Sequence, residues 1–261
     1  MKGLAGTGVA LPKVSNDWTL LGSGDFNGDG WADLLWRHSN GALSTWYSGP
    51  NGFTGGGGHI ATVDTAWTVA AIGDMNRDGR ADILWRNTDG HVSIWQMDGT
   101  AGIGGGDLGV VDLAWKIVGL ADLNGDGRSD IVWRNTDGSV ATWLMDGTKY
   151  LGGGTIATPG TDWNVAGLGD FDGDGNADLL WRSTSGSMAI WTMQGTTVKA
   201  SSAIINPDLS WNVAKVADYN GDGKADILWK NDTGAVSIWM MDGFDVASSG
   251  TIGNAGSWMI V

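Results

Sequence analysis

The sequence predicts an all-β protein, a β-propeller of five four-stranded antiparallel blades with the ring closed by a terminal strand. A repeat, a strand pattern and a composition carry that prediction. Trp18, Trp67, Trp115, Trp163, Trp211 and Trp258 open equivalent segments at intervals of 49, 48, 48, 48 and 47 residues. A period of about 40–50 residues built from short strands is that of propeller blades. Within each repeat, apolar runs of strand length alternate with Gly, Asn and Asp turns. All 29 acidic residues are Asp and 45 residues are Gly, which favours turns and metal loops over helix interiors.

The second repeat shows the elements in order. Strand A runs from Trp67 to Asp74, and an Asp/Asn/Gly loop follows. Strand B is Ala81 to Arg86, with Ile83 and Trp85 on one face and Leu84 on the other. A strand apolar on both faces suits a blade covered by neighbours on both sides. The turn Asn87 to Gly90 reverses the chain into strand C, His91 to Met97. A Met-Asp-Gly turn, Met97 to Gly99, leads to a looser strand D, Gly104 to Val111. Residues 1–261 read as one propeller domain, with repeats at about 16–64, 65–112, 113–160, 161–208 and 209–256. Three Trp recur at fixed places in each repeat, accounting for 15 of the 17, and such repetition suits packing between blades, with sugar stacking as the sharper alternative.

The two ends supply one strand too many. Residues 4–12 resemble strand D, and the tail from Phe244 to Val261 resembles a strand D followed by the start of a sixth strand A. The expectation is that residues 4–12 pair with strand C of the last repeat; the alternative is that the tail completes that blade and the N-terminal strand is spare.

The motif D-x-[ND]-x-D-G-x-x-D occurs five times. Side chains at positions 1, 3, 5 and 9 converge on one point, and the carbonyl at position 7 fills the gap. The sets are Asp25, Asn27, Asp29, Trp31 and Asp33; Asp74, Asn76, Asp78, Arg80 and Asp82; Asp122, Asn124, Asp126, Arg128 and Asp130; Asp170, Asp172, Asp174, Asn176 and Asp178; and Asp218, Asn220, Asp222, Lys224 and Asp226. Gly at position 6 permits the sharp turn. Hard oxygen donors without His or Cys select Ca²⁺, about one per repeat. Mg²⁺ suits the set less, because it keeps more of its waters.

The segment G-D-F-N-G-D-G-W-A-D-L-L-W, Gly24 to Trp36, and its four echoes resemble the FG-GAP, or VCBS-type, repeats of integrin-like propellers. That resemblance covers essentially the whole chain. It implies Ca²⁺ in the loop between strands A and B and an extracellular, secreted protein. The family includes adhesion modules, lectins and scaffolds attached to secreted enzymes, so the fold does not name a ligand.

Composition excludes several classes. A formal charge of −14 argues against a nucleic-acid partner. No apolar run is long enough to span a membrane. Met1 to Pro12 makes a poor signal peptide. The chain has no Cys, and His38, His59 and His91 sit at different blade positions with no nucleophile to match, so no enzyme is expected.

The B→C hairpins and D→A loops share the rim opposite the calcium loops. That rim repeats Arg37, Arg86, Arg134, Arg182 and Lys230 beside Asn87, Asn135 and Asn231 and beside Asp64, Asp112, Asp162 and Asp208. Arg and Asp next to an aromatic ring can hold sugar hydroxyls; they can equally cap strand ends and pair with each other. The expectation is a calcium-stabilised binding module, lectin-like and multivalent, with a glycan or protein ligand on this rim. The alternative is a protein-interaction, adhesion or purely structural scaffold, designed or recently amplified from one repeat. The sequence does not set the oligomeric state.

Overall fold

A computed structural model describes residues 14–256. Among these residues the fold is all-β, with five four-stranded antiparallel sheets and no helix, the five-bladed propeller class that the repeat predicts. The first blade is β1 (Trp18–Gly24), β2 (Asp33–His38), β3 (Ala42–Gly49) and β4 (Gly52–Thr62). The second is β5 (Trp67–Gly73), β6 (Asp82–Asn87), β7 (His91–Asp98) and β8 (Ala101–Val110). The third is β9 (Trp115–Ala121), β10 (Asp130–Asn135), β11 (Val140–Asp146) and β12 (Lys149–Ala157). The fourth is β13 (Trp163–Gly169), β14 (Asp178–Ser183), β15 (Met188–Gln194) and β16 (Thr197–Ile204). The fifth is β17 (Trp211–Ala217), β18 (Asp226–Asn231), β19 (Ala235–Asp242) and β20 (Asp245–Asn254). Strands pair in chain order within every blade.

The chain divides into two compact units. Among the described residues, one holds 14–113 with 145–150, and the other holds 114–144 with 151–256. In the first unit β1 touches β5; in the second β13 touches both β9 and β17. The A strands are therefore the ones that meet from blade to blade. Each A strand carries a one-residue register shift against its B strand, as between Leu20 and Gly22 or between Val69 and Ala71. Such a bulge bends the strand just before the aspartate loop.

The B strands form the core because both of their faces are apolar. The first four residues of each are buried, whereas most of strand D in the second and fifth blades is exposed. Trp85 of the second blade packs with Phe26, Leu35 and Leu43 of the first. Trp229 of the fifth packs with Leu180, Met188 and Ile190 of the fourth. Trp181 of the fourth packs with Leu123, Val132 and Val140 of the third, so the strand-B Trp of these three blades are inter-blade core, as their repetition indicates. Every strand-B Trp also meets the strand-C Trp of its own blade, with centroids 4.8–5.1 Å apart and planes tilted 46–59°, a favourable aromatic separation.

The end strands need a correction. β19 is bonded to β18 on one side and to β20 on the other. The outer edge of the last strand C is therefore taken by the C-terminal strand, not by residues 4–12 as expected. The tail follows immediately in sequence, so a tight hairpin closes at less entropic cost than a strand from the far end of the chain. Residues 4–12 themselves, and the end of the tail where a sixth strand A would begin, lie outside the described residues.

Candidate functional site

The five aspartate loops share one internal geometry. Asp25 Oδ1 accepts hydrogen bonds from the Gly28 and Asp29 amides at 2.7 and 3.1 Å, and its Oδ2 accepts from Gly30 at 2.7 Å. Asp74, Asp122 and Asp170 accept from the same three loop positions, and Asp218 from the fourth and sixth. The carboxylate at position 1 therefore shapes the turn from inside. Position 6 is left-handed, with φ of 86° at Gly30 and 81° at Gly79. Position 4 is left-handed as well: φ is 76° at Gly28 and 64° at Arg77, the only non-glycine residue with positive φ among the described residues. A left-handed side-chain-bearing residue costs about 1–2 kcal/mol. Arg77→Gly should raise stability by about 1 kcal/mol in urea denaturation at constant m. An unchanged midpoint would show that the second loop bears no strain.

Positions 3 and 5 are linked to each other. Asn27 Nδ2 donates to Asp29 Oδ2 at 3.1 Å, and the Asp29 amide donates to Asn27 Oδ1 at 3.0 Å. Asn76, Asn124 and Asn220 repeat the amide bond to the carboxylate at position 5. The fourth loop has Asp172 there and lacks that donor. In it Asp170, Asp172 and Asp174 bring carboxylate oxygens within 4.8 Å of one another. Lys199 Nζ lies 2.7 Å from Asp174 and 3.4 Å from Asp172.

Position 9 is buried beneath the loop. Asp33, Asp82, Asp130, Asp178 and Asp226 are all fully buried. Asp178 accepts from the Phe171 and Met193 amides at 2.9 Å each, and Asp33, Asp82 and Asp226 accept from the corresponding pairs. Asp130 accepts from Leu123. Burial pushes Asp33 and Asp82 up to about 6 and Asp178 up to about 7. The two amide donors pull each of them down, and the nearby loop aspartates push each up further.

The loops also clamp neighbouring blades. The Ala81 amide donates to the Asp25 carbonyl at 2.6 Å, and the Gly99 amide to the Phe26 carbonyl at 2.7 Å. In the second unit Ala177 and Gly195 do the same to Asp122 and Leu123, and Ala225 and Gly243 to Asp170 and Phe171. Phe26, Met75, Leu123 and Phe171, at position 2, are fully buried, whereas Tyr219 at that place in the fifth loop is 41% exposed.

A hard divalent cation fits these residues. Every donor is an oxygen, and the Lys199 ammonium stands as a cation on two of the fourth loop's carboxylates. Positions 3 and 5 would supply side-chain oxygens directly. At position 1 the Oδ2 oxygen, which accepts a single amide, keeps a second lone pair, and at position 9 both oxygens do. The position-7 side chains differ: Arg80 pairs with Asp98 at 3.1 Å and Lys224 with Asp242, whereas Arg128 lies 3.9 Å from Asp126 and Asn176 Nδ2 donates to Asp174 Oδ1 at 2.8 Å within their own loops.

On the opposite rim the arginines serve as inter-blade struts. Arg37 donates to the carbonyls of Val63, Asp64 and Trp67, and its guanidinium lies 5.8 Å from the Trp85 ring. Arg134 donates to Gly138, Gly160 and Trp163 and lies over Trp181. Arg182 donates to Trp211 and Asp208 and lies over Trp229. Arg86 donates to Gly90, Val111 and Asp112. Lys230 stands opposite Asn212 in the strand register. The carbonyl bonds are the part of this arrangement that residue spacing did not reveal. The pre-Trp aspartates are used locally: Asp64 and Asp208 accept from the amides two residues on.

Arg182 also borders an open recess of about 350 Å³ with Asn164, Ser183, Asn212, Leu209 and Val213. In the first unit a recess of about 220 Å³ is walled by Trp67, Trp85 and Trp95 with Val63 and Ser93. The Trp85 indole N–H is buried without an acceptor.

Comparison with known proteins gives a family and a fold. A model of the FG-GAP-like repeat matches residues 25–85, 122–181 and 170–229. No curated protein matches the sequence. Among solved structures, a chain of a nidogen/laminin complex superposes with a TM-score of 0.53 at 15% identity, over 89% of this chain and 80% of that one. Raptor from Chaetomium thermophilum superposes with a TM-score of 0.53 at 13% identity, over 90% of this chain and 21% of that one. At these identities the likeness is one of fold. No helix among the described residues is long and apolar enough to cross a membrane.

Proposed function

The chain belongs to the FG-GAP-like repeat family, and from that premise we propose that it is a calcium-stabilised, extracellular binding module that recognises carbohydrate rather than transforming a substrate. Ca²⁺ would be held at positions 1, 3, 5 and 9 of each loop. It would supply charge neutralisation and cross-linking at the blade seams, not chemistry.

The observation that carries the carbohydrate reading is the recess at Arg182. Asn164, Ser183 and Asn212 offer amide and hydroxyl groups of both polarities, and Leu209 and Val213 offer an apolar wall. A sugar presents the same mixture, hydroxyls around an apolar ring face. Arg182 spends its donors on Trp211 and Asp208, so it fixes the recess while the two asparagines make the contacts. Repetition of the rim would add avidity.

A glycan array tests this. Graded binding to a few related sugars is expected, and Asn212→Ala should weaken it roughly fivefold, the worth of about one hydrogen bond. A blank array at high protein concentration would overturn the carbohydrate reading. It would favour a protein ligand, for which the exposed apolar side chains of the outer strands, Ile103, Val110, Tyr150, Leu151 and Ile252, give support.

A further inference from the structure

The fourth repeat departs from the others at three places that meet at one loop. Position 3 is Asp172 where the others have Asn27, Asn76, Asn124 and Asn220. The turn after strand C carries Gln194 where the second, third and fifth repeats have Asp98, Asp146 and Asp242. The third residue of β16 is Lys199, where the same count from the turn gives Thr54, Ile103, Leu151 and Ala247. One acid is gained in the loop, one is lost beside it, and a cation is placed within reach of the gain.

The geometry explains the exchange. In the other loops an asparagine N–H bridges position 3 to the carboxylate at position 5. Asp172 has no such donor, and three carboxylates then lie within 4.8 Å. Lys199 Nζ restores the bridge at 3.4 Å to Asp172 and 2.7 Å to Asp174, but with a full positive charge. These are the oxygens that a divalent cation would need. Lys199 is half-exposed on the outermost strand, so its flexible stem can swing away.

We propose that Lys199 is an internal competitor for the cation of the fourth loop. It holds that loop together when calcium is scarce and lowers the loop's calcium affinity, so that the five loops do not fill alike. This rests on the calcium reading above.

The test compares the full chain with Lys199→Met, which keeps the apolar stem and removes the charge. Calcium binding is followed by titration calorimetry, and melting is recorded in chelator and in saturating calcium. The variant should bind calcium about two- to fivefold more tightly at one site, the range of an exposed ion pair. It should melt lower than the parent in chelator, with the gap closing in calcium. In an Asp170→Ala background, where the fourth loop is disabled, Lys199→Met should no longer alter binding. Unchanged or weaker calcium binding by Lys199→Met, or a melting deficit equal in both conditions, would overturn the competition while leaving the calcium reading standing. A parent that takes up no calcium would overturn both.

Discussion

Chelation is expected to lower the melting temperature by many degrees, with Ca²⁺ restoring it better than Mg²⁺. Sixteen of the 29 aspartates belong to the five loops, and the formal charge is −14. Five divalent cations would bring that charge to −4. Without them, carboxylates face one another at short range in the folded state, and unfolding relieves them. One site at 100-fold excess over its dissociation constant contributes about 2.7 kcal/mol. In a chain of this size that shifts the midpoint by roughly 5–10 °C. Several sites should give more, though not as a simple sum. The geometry adds a reason for a global effect. The loops bond directly to the next blade, as Ala81 does to Asp25 and Ala225 does to Asp170. A loosened loop therefore loosens a seam. Differential scanning calorimetry decides the matter: coincident curves with and without chelator, on protein shown to be metal-free by elemental analysis, would end the structural role of calcium.

The second large effect is expected at position 9. Asp178→Ala removes the common acceptor of the buried Phe171 and Met193 amides. A buried donor left without a partner costs about 1–3 kcal/mol. Two of them, tying the loop to strand C of the same blade, should cost about 3–5 kcal/mol. Asp178→Asn should cost less, because one carbonyl oxygen remains to accept. The decisive measurement is urea denaturation in chelator, where no metal contributes. If the loss seen in calcium disappears there, Asp178 acts only through the metal, and its amide bonds carry no weight.

These two predictions draw on different levels of description. The five loops, their spacing and their oxygen chemistry stand in the sequence, because a metal loop is a local device whose ligands lie within nine residues. The blades are equally legible. Strand B announces itself by apolar residues on both faces, and the turn Asn87 to Gly90 by its composition. Position 4 was legible too, since Gly28, Gly125, Gly173 and Gly221 stand there in four of five loops, and Arg77 marks the exception. Lys199 was harder to find. Its partners lie 25 and 27 residues away in the loop between β13 and β14, and only aligning the repeats for departures would have flagged it.

The sequence by itself determined the repeat, the strand order within a blade and the chemistry of the loops, since each depends on contacts between near neighbours in the chain. Tertiary structure decided the rest. It gave the last strand C its C-terminal partner, because a hairpin neighbour reaches that edge first. It turned Arg37, Arg134 and Arg182 into struts on the carbonyls of Trp67, Trp163 and Trp211, which open the following repeats. It sank the position-9 carboxylates beneath backbone amides. A residue's identity shows that it can donate, accept or carry charge; which groups it meets depends on burial and on blades packed side by side, and those distances arise only when the chain is folded.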